Sequence, residues 1–236
     1  MKFDIYSLTA RVLPAFLSSV PFFLLNYFLL NPLMGDFWGE LLALKIVSNI
    51  TFSFALLFLL MQIDRIISKE FIEKNIYKNE LYFPTTNFLL HLDKTFSSDF
   101  TRKIHQKIKK DFGLNIPSAT SESMDNDHSR QLICESVSLI RSRVEKGNLV
   151  GQHNAEYGFI RNLAGGNILA ALASLINVIV FGFIYPNQLA FWISCATLFI
   201  YSLLALFSKK MIDAVGYRYA KVLIQEYMGN YESTNK

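Results

Sequence analysis

The amino-acid sequence predicts an all-α polytopic membrane protein, in which two transmembrane hairpins bracket a helical cytoplasmic insert. Of its 236 residues, 52% are hydrophobic and only 18% are charged, whereas a soluble domain carries about 25% charged residues. Four long runs hold the apolar excess and contain no Asp, Glu, Lys or Arg. The sequence shows no strand pattern strong enough to require a sheet.

Each of the four apolar runs is long enough to cross a bilayer, which takes about 20 residues of helix. The first run contains Pro14 and Pro21, so we expect a kinked helix. It lacks the basic leader and the cleavage site of a signal peptide, so we expect it to be retained. The runs are residues 12–30, 46–63, 163–185 and 189–207.

The basic residues predict the orientation of these helices. The connectors at residues 31–40 and 185–188 contain no Lys or Arg, whereas Arg11, Arg65, Arg161 and Lys209 lie at the four opposite helix ends. Lys and Arg accumulate in short cytoplasmic flanks of membrane proteins. We therefore expect both termini in the cytoplasm and the four helices in contact with the lipid bilayer.

The chain between the hairpins predicts a cytoplasmic helical domain, because it carries most of the ionisable groups. We expect a stalk that continues the second helix to Tyr77, and a terminal amphipathic helix after the fourth run. The insert should also contain a helix from the cap residue Ser97 to Gly113, a mobile loop at 114–127 and a helix at 128–146 closed by Gly147. The predicted regions are 1–63, 64–162, 163–208 and 209–236.

Polar side chains that recur on one face of the apolar helices are the strongest functional hint. Such faces on several helices of a small bundle are typical of a hydrated path. The alternative is that they hydrogen-bond between helices, at about 0.6 kcal/mol each, and this is the commoner role of small polar residues. A lysine near the outer boundary is expected to snorkel to the surface. The candidate pore-lining residues are Lys45, Asn49, Ser53, Asn167, Ser174 and Asn177.

A second candidate site is the basic face of the helix predicted to begin after Ser97. Its cations could attract anionic lipid, at about 1 kcal/mol per near-surface cation, or a partner or ligand. Direct recognition of nucleic acid is less favoured, because the face lacks interleaved aromatic side chains. This face comprises Arg102, Lys103, Lys107, Lys109 and Lys110.

Signals for catalysis or metal binding are weak. His91 and Asp93 form an H-x-D pair, but no longer ligand array surrounds them. Cys134 borders an apolar stripe, and we expect a buried structural thiol rather than a nucleophile. Phosphate-loop, dinucleotide-binding and serine-hydrolase motifs do not occur in the sequence. We therefore expect no enzyme and no cofactor.

Three stretches carry a resemblance to a known class of proteins. They read PTTNFLLHLDKTFSSDF, ESVSLIRSRVEKGNL and QHNAEYGFIRNLAGG, and they cover parts of the insert and the start of the third helix. With the layout of two hairpins, they resemble small four-helix membrane effectors of bacterial anti-phage conflict systems, to which pore formation is ascribed. The resemblance implies an effector of the bacterial inner membrane that a partner holds silent, and it assigns no residue a role.

Our leading hypothesis is an oligomeric effector that permeabilises or depolarises the membrane. A cytosolic regulatory protein or ligand that contacts residues 64–162 would trigger it, and conduction would need a homo-oligomer because four helices enclose little lumen. The alternative is a membrane-anchored scaffold or sensor subunit that docks a cytosolic partner. A third hypothesis is a transporter subunit, which rests on helices broken at Pro14, Pro21 and Gly165–Gly166.

Overall fold

The computed structural model describes residues 5–33, 42–144 and 148–232. The predicted helical fold class is confirmed, since the described residues form helices and no strand. The four helices long and apolar enough to cross a membrane are Leu8–Leu33, Ile46–Tyr77, Leu149–Ile184 and Gln188–Gly229.

The helices are numbered in chain order and fall into two compact units. The apolar unit consists of Met1–Ile72 and Gly158–Met211, and the polar unit consists of Glu73–Tyr157 and Ile212–Lys236. The helices are α1 (residues 5–33), α2 (residues 42–77), α3 (Pro84–Asn87), α4 (Ser98–Phe112), α5 (Ala119–Met124), α6 (Asn126–Val144), α7 (residues 148–184) and α8 (Gln188–Glu232).

Three helices, α2, α7 and α8, run without interruption from one unit into the other. The predicted stalk is confirmed, because α2 continues as helix to Tyr77. The predicted terminal helix is also present, and it is one helix with the fourth apolar run. The first unit extends to Ile72 rather than ending after residue 63, because Asp64 and Ser68 are buried within it.

Helix α1 is irregular, as its prolines predict. Its α-helical segments Leu13–Ser18 and Val20–Leu25 are separated at Ser19. Each segment has a proline within its first two positions, where the missing N–H does least harm. Turns of π-helix precede the first segment and follow the second.

Helix α7, by contrast, runs unbroken through Gly165–Gly166, so the predicted break at these glycines is wrong. The glycines allow close packing instead. A Cβ atom on Gly166 would lie 2.8 Å from Asp64 Oδ2 and 2.9 Å from Ser18 Cβ. The pair therefore lets α1 and α2 approach the α7 backbone.

The predicted helix after Ser97 is confirmed as α4. The Ser97 hydroxyl accepts a hydrogen bond from the Phe100 N–H at 3.3 Å, and Gly113 ends the helix with φ of 71°. Ile104 and Ile108, one turn apart on this helix, are fully buried.

The predicted mobile loop at 114–127 is wrong in part, because it contains helix α5. The Ser118 hydroxyl caps α5 by accepting from the Ser121 N–H at 3.2 Å. Glu122 is buried, and its two carboxylate oxygens lie 3.1 and 3.0 Å from the His91 N–H. The His91 N–H thus provides a hydrogen-bond donor for the buried Glu122 carboxylate, although the two residues are 31 positions apart in the sequence. The local composition of the segment could not predict this contact.

The predicted apolar stripe of α6 is confirmed, since Ile133, Val137, Ile140 and Val144 are all buried. The predicted end of this helix at Gly147 lies outside the described residues. Burial raises the pKa of the Cys134 thiol, and the nearby Glu80 carboxylate raises it further. The protonated thiol is a poor nucleophile, as expected for a structural cysteine.

The stability of the polar unit should depend on pH through the protonation of His105. Burial lowers the pKa of His105, and the His91 ring 4.9 Å away lowers it further, against a 2.8 Å hydrogen bond to the Leu89 carbonyl. An unfolded histidine has a pKa of about 6.5, so below that pH the unfolded chain binds more protons. Stability is therefore greatest above that value and falls as the pH drops through it.

We expect thermal unfolding of the polar unit, followed by near-UV circular dichroism, to shift to lower temperature between about pH 7.5 and about pH 5.5. His105→Gln retains an N–H donor for Leu89 and should weaken this shift. His128→Gln, at an exposed position, should keep the wild-type shift. The interpretation fails if His105→Gln loses stability with acid as steeply as His128→Gln.

Candidate functional site

A group of polar side chains lies inside the apolar unit, where water is excluded. Such groups cost free energy unless they find hydrogen-bond partners, and ionisable residues among apolar helices are functional candidates by default. We call this group the polar core, and its buried members are Ser18, Asp64, Ser68, Asn162, Asn167, Ser174 and Asn177.

Side chains of α7 and α8 complete the hydrogen bonding of α1 at both prolines. Pro14 and Pro21 have no N–H, so the carbonyls four residues earlier lose their usual helical partners. The Asn162 amide donates to the Ala10 carbonyl at 2.6 Å. The Tyr201 hydroxyl donates to the Leu17 carbonyl at 2.6 Å.

A third bond reaches α1 from the predicted candidate Asn177, whose amide donates to the Pro21 carbonyl at 2.7 Å. All three bonds end on the irregular part of α1. They join α1 to α7 and α8, and this is the interhelical role that the sequence offered as the alternative to lining a path.

Asp64 is the ionisable member of the polar core, and only 1% of it is exposed. The Ser18 hydroxyl donates to Asp64 Oδ2 at 2.8 Å. One turn further along α2, the Ser68 hydroxyl donates to the Asp64 carbonyl at 2.6 Å and accepts from the Gly165 N–H at 3.2 Å. Two contacts from α1 and α7 therefore enclose this turn of α2.

Asp64 was not among the predicted site residues, because the uncharged run ends at Ile63 and the predicted cytoplasmic region begins at residue 64. Two signals could have indicated its burial. Asp64 and Ser68 are four residues apart and share a helix face, and the adjacent glycines of α7 permit a close approach.

Several oxygens of the polar core have no hydrogen-bond partner among the described residues. They are Asp64 Oδ1, Asn162 Oδ1, Asn167 Oδ1 and Ser174 Oγ. Leaving a buried polar atom unsatisfied costs about 1–3 kcal/mol. The polar core therefore contains more acceptors than helix packing alone requires.

The structure divides the predicted pore-lining residues into two groups. Asn167, Ser174 and Asn177 are buried inside the apolar unit, whereas Asn49 and Ser53 on α2 are half-buried. The Ser53 hydroxyl donates to the Asn49 carbonyl at 2.8 Å within the same helix. The side chain of Lys45 lies outside the described part of the chain.

Helix α2 is the least covered of the four apolar helices. In its most apolar stretch of 18 residues, 11% of the residues are buried, compared with 28% in the corresponding stretch of α1. The half-buried Asn49 and Ser53 therefore form a polar stripe on the helix that the rest of the chain covers least. We call these two residues the α2 stripe.

A cavity of about 320 Å³ adjoins the polar core between α1, α7 and α8. Its walls include Leu17 and Val20 of α1, and its polar groups are Asn167, Thr197 and Tyr201. The cavity lies next to Asn167, whose Oδ1 has no partner. The cavity is open to the surface of the unit, since Leu17, Val20 and Ile200 on its walls are exposed.

The predicted basic face needs one correction, because Lys107 is buried. Its ammonium lies 3.5 Å from Asp111 Oδ2 and 4.8 Å above the Tyr227 ring. A carboxylate one turn away and an aromatic ring stabilise the charge in the interior. The remaining exposed cations of the face are Arg102, Lys103, Lys109 and Lys110.

A groove of about 780 Å³ lies between α4 and the end of α8 in the polar unit. Its basic groups are Lys103, Lys107 and Lys110, joined by the amides of Gln106 and Gln225. We call it the basic groove. Lys109 does not line it, although it lies on the same helix and is exposed.

The two residues of the H-x-D pair, His91 and Asp93, each make a contact with the protein backbone. His91 Nε2 lies 3.1 Å from the Pro117 carbonyl, and Asp93 accepts from the Thr95 N–H at 2.8 Å. Across the described ranges, the His, Cys, Asp and Glu side chains form no group of three that could hold a metal ion.

The bond from Tyr201 to α1 can be tested by removing one hydroxyl. Tyr201→Phe leaves the Leu17 carbonyl without its donor, and bonds of this kind among apolar helices contribute about 0.6 kcal/mol on average and up to about 1.7. We expect Tyr201→Phe to lower the free energy of unfolding in bicelles by about 1 kcal/mol. Tyr217→Phe makes the same change at an exposed position and should have a smaller effect. Equal stability of the two variants would rule out this bond as a stabilising contact.

Comparisons with family models, with curated proteins and with solved structures give no match to this chain. Its function therefore has to be inferred from the polar core, the α2 stripe and the basic groove.

Proposed function

We propose that the protein is an oligomeric effector of the bacterial inner membrane, which permeabilises or depolarises the membrane when its polar unit receives a trigger. Anti-phage defence is the setting that the sequence resemblance implies. The observation that carries the proposal is the α2 stripe, since Asn49 and Ser53 remain accessible on the least covered apolar helix.

The apolar surface of the helices supports insertion in a bilayer. Large side chains such as Phe54, Phe58, Phe183, Phe199 and Leu206 are each more than half exposed. Contiguous apolar surface of this kind is rare on soluble monomers. With lipid around it, the four helices form two hairpins with both termini in the cytoplasm, following the basic flanks.

A path within one copy is not supported, because the α7 candidates pack inside the apolar unit and Asn177 is bonded to α1. Several copies that bring their α2 helices together would instead place Asn49 and Ser53 around a shared axis. Closed rings of identical subunits are the usual way to build such a path. The polar core then seals each copy, and the α2 stripe lines the space between copies.

The continuity of the helices supports control by the polar unit. Helices α2, α7 and α8 have residues in both units. A ligand or regulatory protein that rotates one of these helices in the polar unit would also rotate its apolar part. Since Asn49 and Ser53 occupy one face of α2, rotation would turn the stripe towards or away from the axis.

The basic groove favours a second candidate function, a membrane-anchored sensor or scaffold subunit. Its exposed lysines, Lys103 and Lys110, and its two glutamines suit an anionic ligand or an acidic partner surface. In that function the apolar helices only anchor the chain, and the α2 stripe has no role.

The transporter hypothesis has lost one of its supports, because α7 is unbroken at Gly165–Gly166.

The effector function and the sensor function can be distinguished by substitutions that remove polar groups from α2. We expect unrestrained expression to collapse the membrane potential, measured with a potential-sensitive dye in living cells. Asn49→Leu and Ser53→Ala should abolish or strongly reduce the collapse at equal protein levels, because an apolar stripe disfavours water in the path.

Thr51→Val is the matched control, since Thr51 is exposed on the same helix outside the stripe. It should retain wild-type depolarisation. If the wild-type protein leaves the potential intact at high expression, or if Asn49→Leu behaves like Thr51→Val, the effector function is excluded. The sensor function would then be preferred.

A further inference from the structure

We propose that Asp64 binds one monovalent cation, a proton or a sodium ion, inside the apolar unit. The inference goes beyond the proposed function, because occupancy of this site can be measured without any conducting state. It rests on the hydrogen-bond arrangement around the Asp64 carboxylate.

The polar core around Asp64 has a surplus of acceptors. Oδ1 of ionised Asp64, Asn162 Oδ1 and Asn167 Oδ1 can act only as hydrogen-bond acceptors, and each lacks a donor among the described residues. A bound cation supplies the missing positive charge. As a proton on Asp64, it also converts one acceptor oxygen of the carboxylate into an O–H donor.

The donors on the enclosing helices are already engaged. The Ser18 hydroxyl is bonded to Asp64 Oδ2. The Ser68 hydroxyl is bonded to the Asp64 carbonyl, and the Asn162 amide is bonded to the Ala10 carbonyl. None of these groups can donate to Asp64 Oδ1 without giving up the hydrogen bond that it already makes.

The charged side chains nearest along the helices do not supply the missing charge. Arg65 and Lys69 follow Asp64 on α2 and are half-buried and exposed, respectively. Arg161 lies on α7 one turn before Gly165, and it does not donate to Asp64 Oδ1, since that oxygen has no hydrogen-bond partner among the described residues. Arg11, on α1, lies with its guanidinium 6.0 Å from the Tyr6 ring.

Burial makes occupancy by a cation favourable. An ionised carboxylate that is 1% exposed and has a single hydroxyl donor is poorly solvated, and buried carboxylates that lack a partner become neutral. Gly166 brings α7 against the carboxylate, since a Cβ there would lie 2.8 Å from Oδ2. This packing excludes water from the carboxylate, whose own oxygens are suitable ligands for a small cation.

The test is labelling with the hydrophobic reagent dicyclohexylcarbodiimide, followed by peptide mass spectrometry of the purified full-length protein in detergent. A protonated carboxyl adds its oxygen to the carbodiimide carbon, and its proton moves to a carbodiimide nitrogen. The adduct then rearranges to an N-acylurea that keeps every atom of both reactants. We expect the peptide containing Asp64 to carry this adduct at neutral pH, and Asp64→Asn to reduce labelling to background. Asp99, which is exposed and paired with Arg102, should stay unlabelled.

Two arms distinguish the cations. If the site holds a proton, alkaline pH abolishes the labelling and sodium chloride does not, compared with choline chloride at equal ionic strength. If it holds sodium, sodium chloride protects Asp64 at constant pH. Ser18→Ala should extend proton-dependent labelling to higher pH, because it removes the donor that favours the ionised oxygen. Ser19→Ala should not, since the Ser19 hydroxyl bonds to the Phe16 carbonyl.

An infrared difference spectrum between wild type and Asp64→Asn controls for access of the reagent. A carboxylic-acid C=O band that Asp64→Asn lacks supports the proton, and a carboxylate band that shifts on addition of sodium supports sodium. A carboxylate band insensitive to sodium, with no labelling at any pH, overturns the proposal. It is also overturned if Asp64 becomes labelled only in Arg161→Gln, because arginine would then be the cation.

Discussion

A backbone carbonyl without a hydrogen-bond partner is costly where water is excluded, and Pro14 and Pro21 create two such carbonyls in α1. Asn162 and Tyr201 supply the missing donors from α7 and α8. The arrangement of the apolar unit depends on these contacts. They hold an irregular helix against two regular ones at defined positions, which apolar side chains alone do less specifically.

The same contacts explain how polar residues are distributed over the apolar helices. Those on α7 are buried, and among them Asn177 completes the contact with α1. On α2, the Ser53 hydroxyl bonds to the Asn49 carbonyl of the same helix, and both residues are half-buried. Polar residues with similar spacing in the sequence thus differ in burial, and the proposed oligomer places only those on α2 between copies.

The sequence was sufficient for features that depend on local pattern. The apolar runs, the cap at Ser97, the end of α4 at Gly113 and the buried stripe of α6 follow from length, capping chemistry and helical periodicity. The prolines also indicated an irregular α1. Each of these features is set by residues within a few turns of one another.

Features that depend on distant partners were not predictable in this way. Asp64 follows an apolar run and looks like a surface residue until Ser18 and Gly166 are placed beside it. Helix α5 depends on the bond from Glu122 to the His91 N–H, and Lys107 is buried by Tyr227 from the far end of the chain. In each case a long-range contact overrides what the composition of the segment favours.

The division between a sealed polar core and an accessible α2 stripe is tested most directly by thiol labelling in the membrane. Single cysteines at positions 53 and 177, in a chain whose Cys134 and Cys195 are replaced by serine, would be treated with a water-soluble, membrane-impermeant maleimide in intact vesicles. The proposed oligomer predicts rapid labelling at position 53, and the burial of Asn177 predicts protection at position 177 until the protein is denatured. Equal labelling at both positions, or labelling at position 177 alone, would contradict this division.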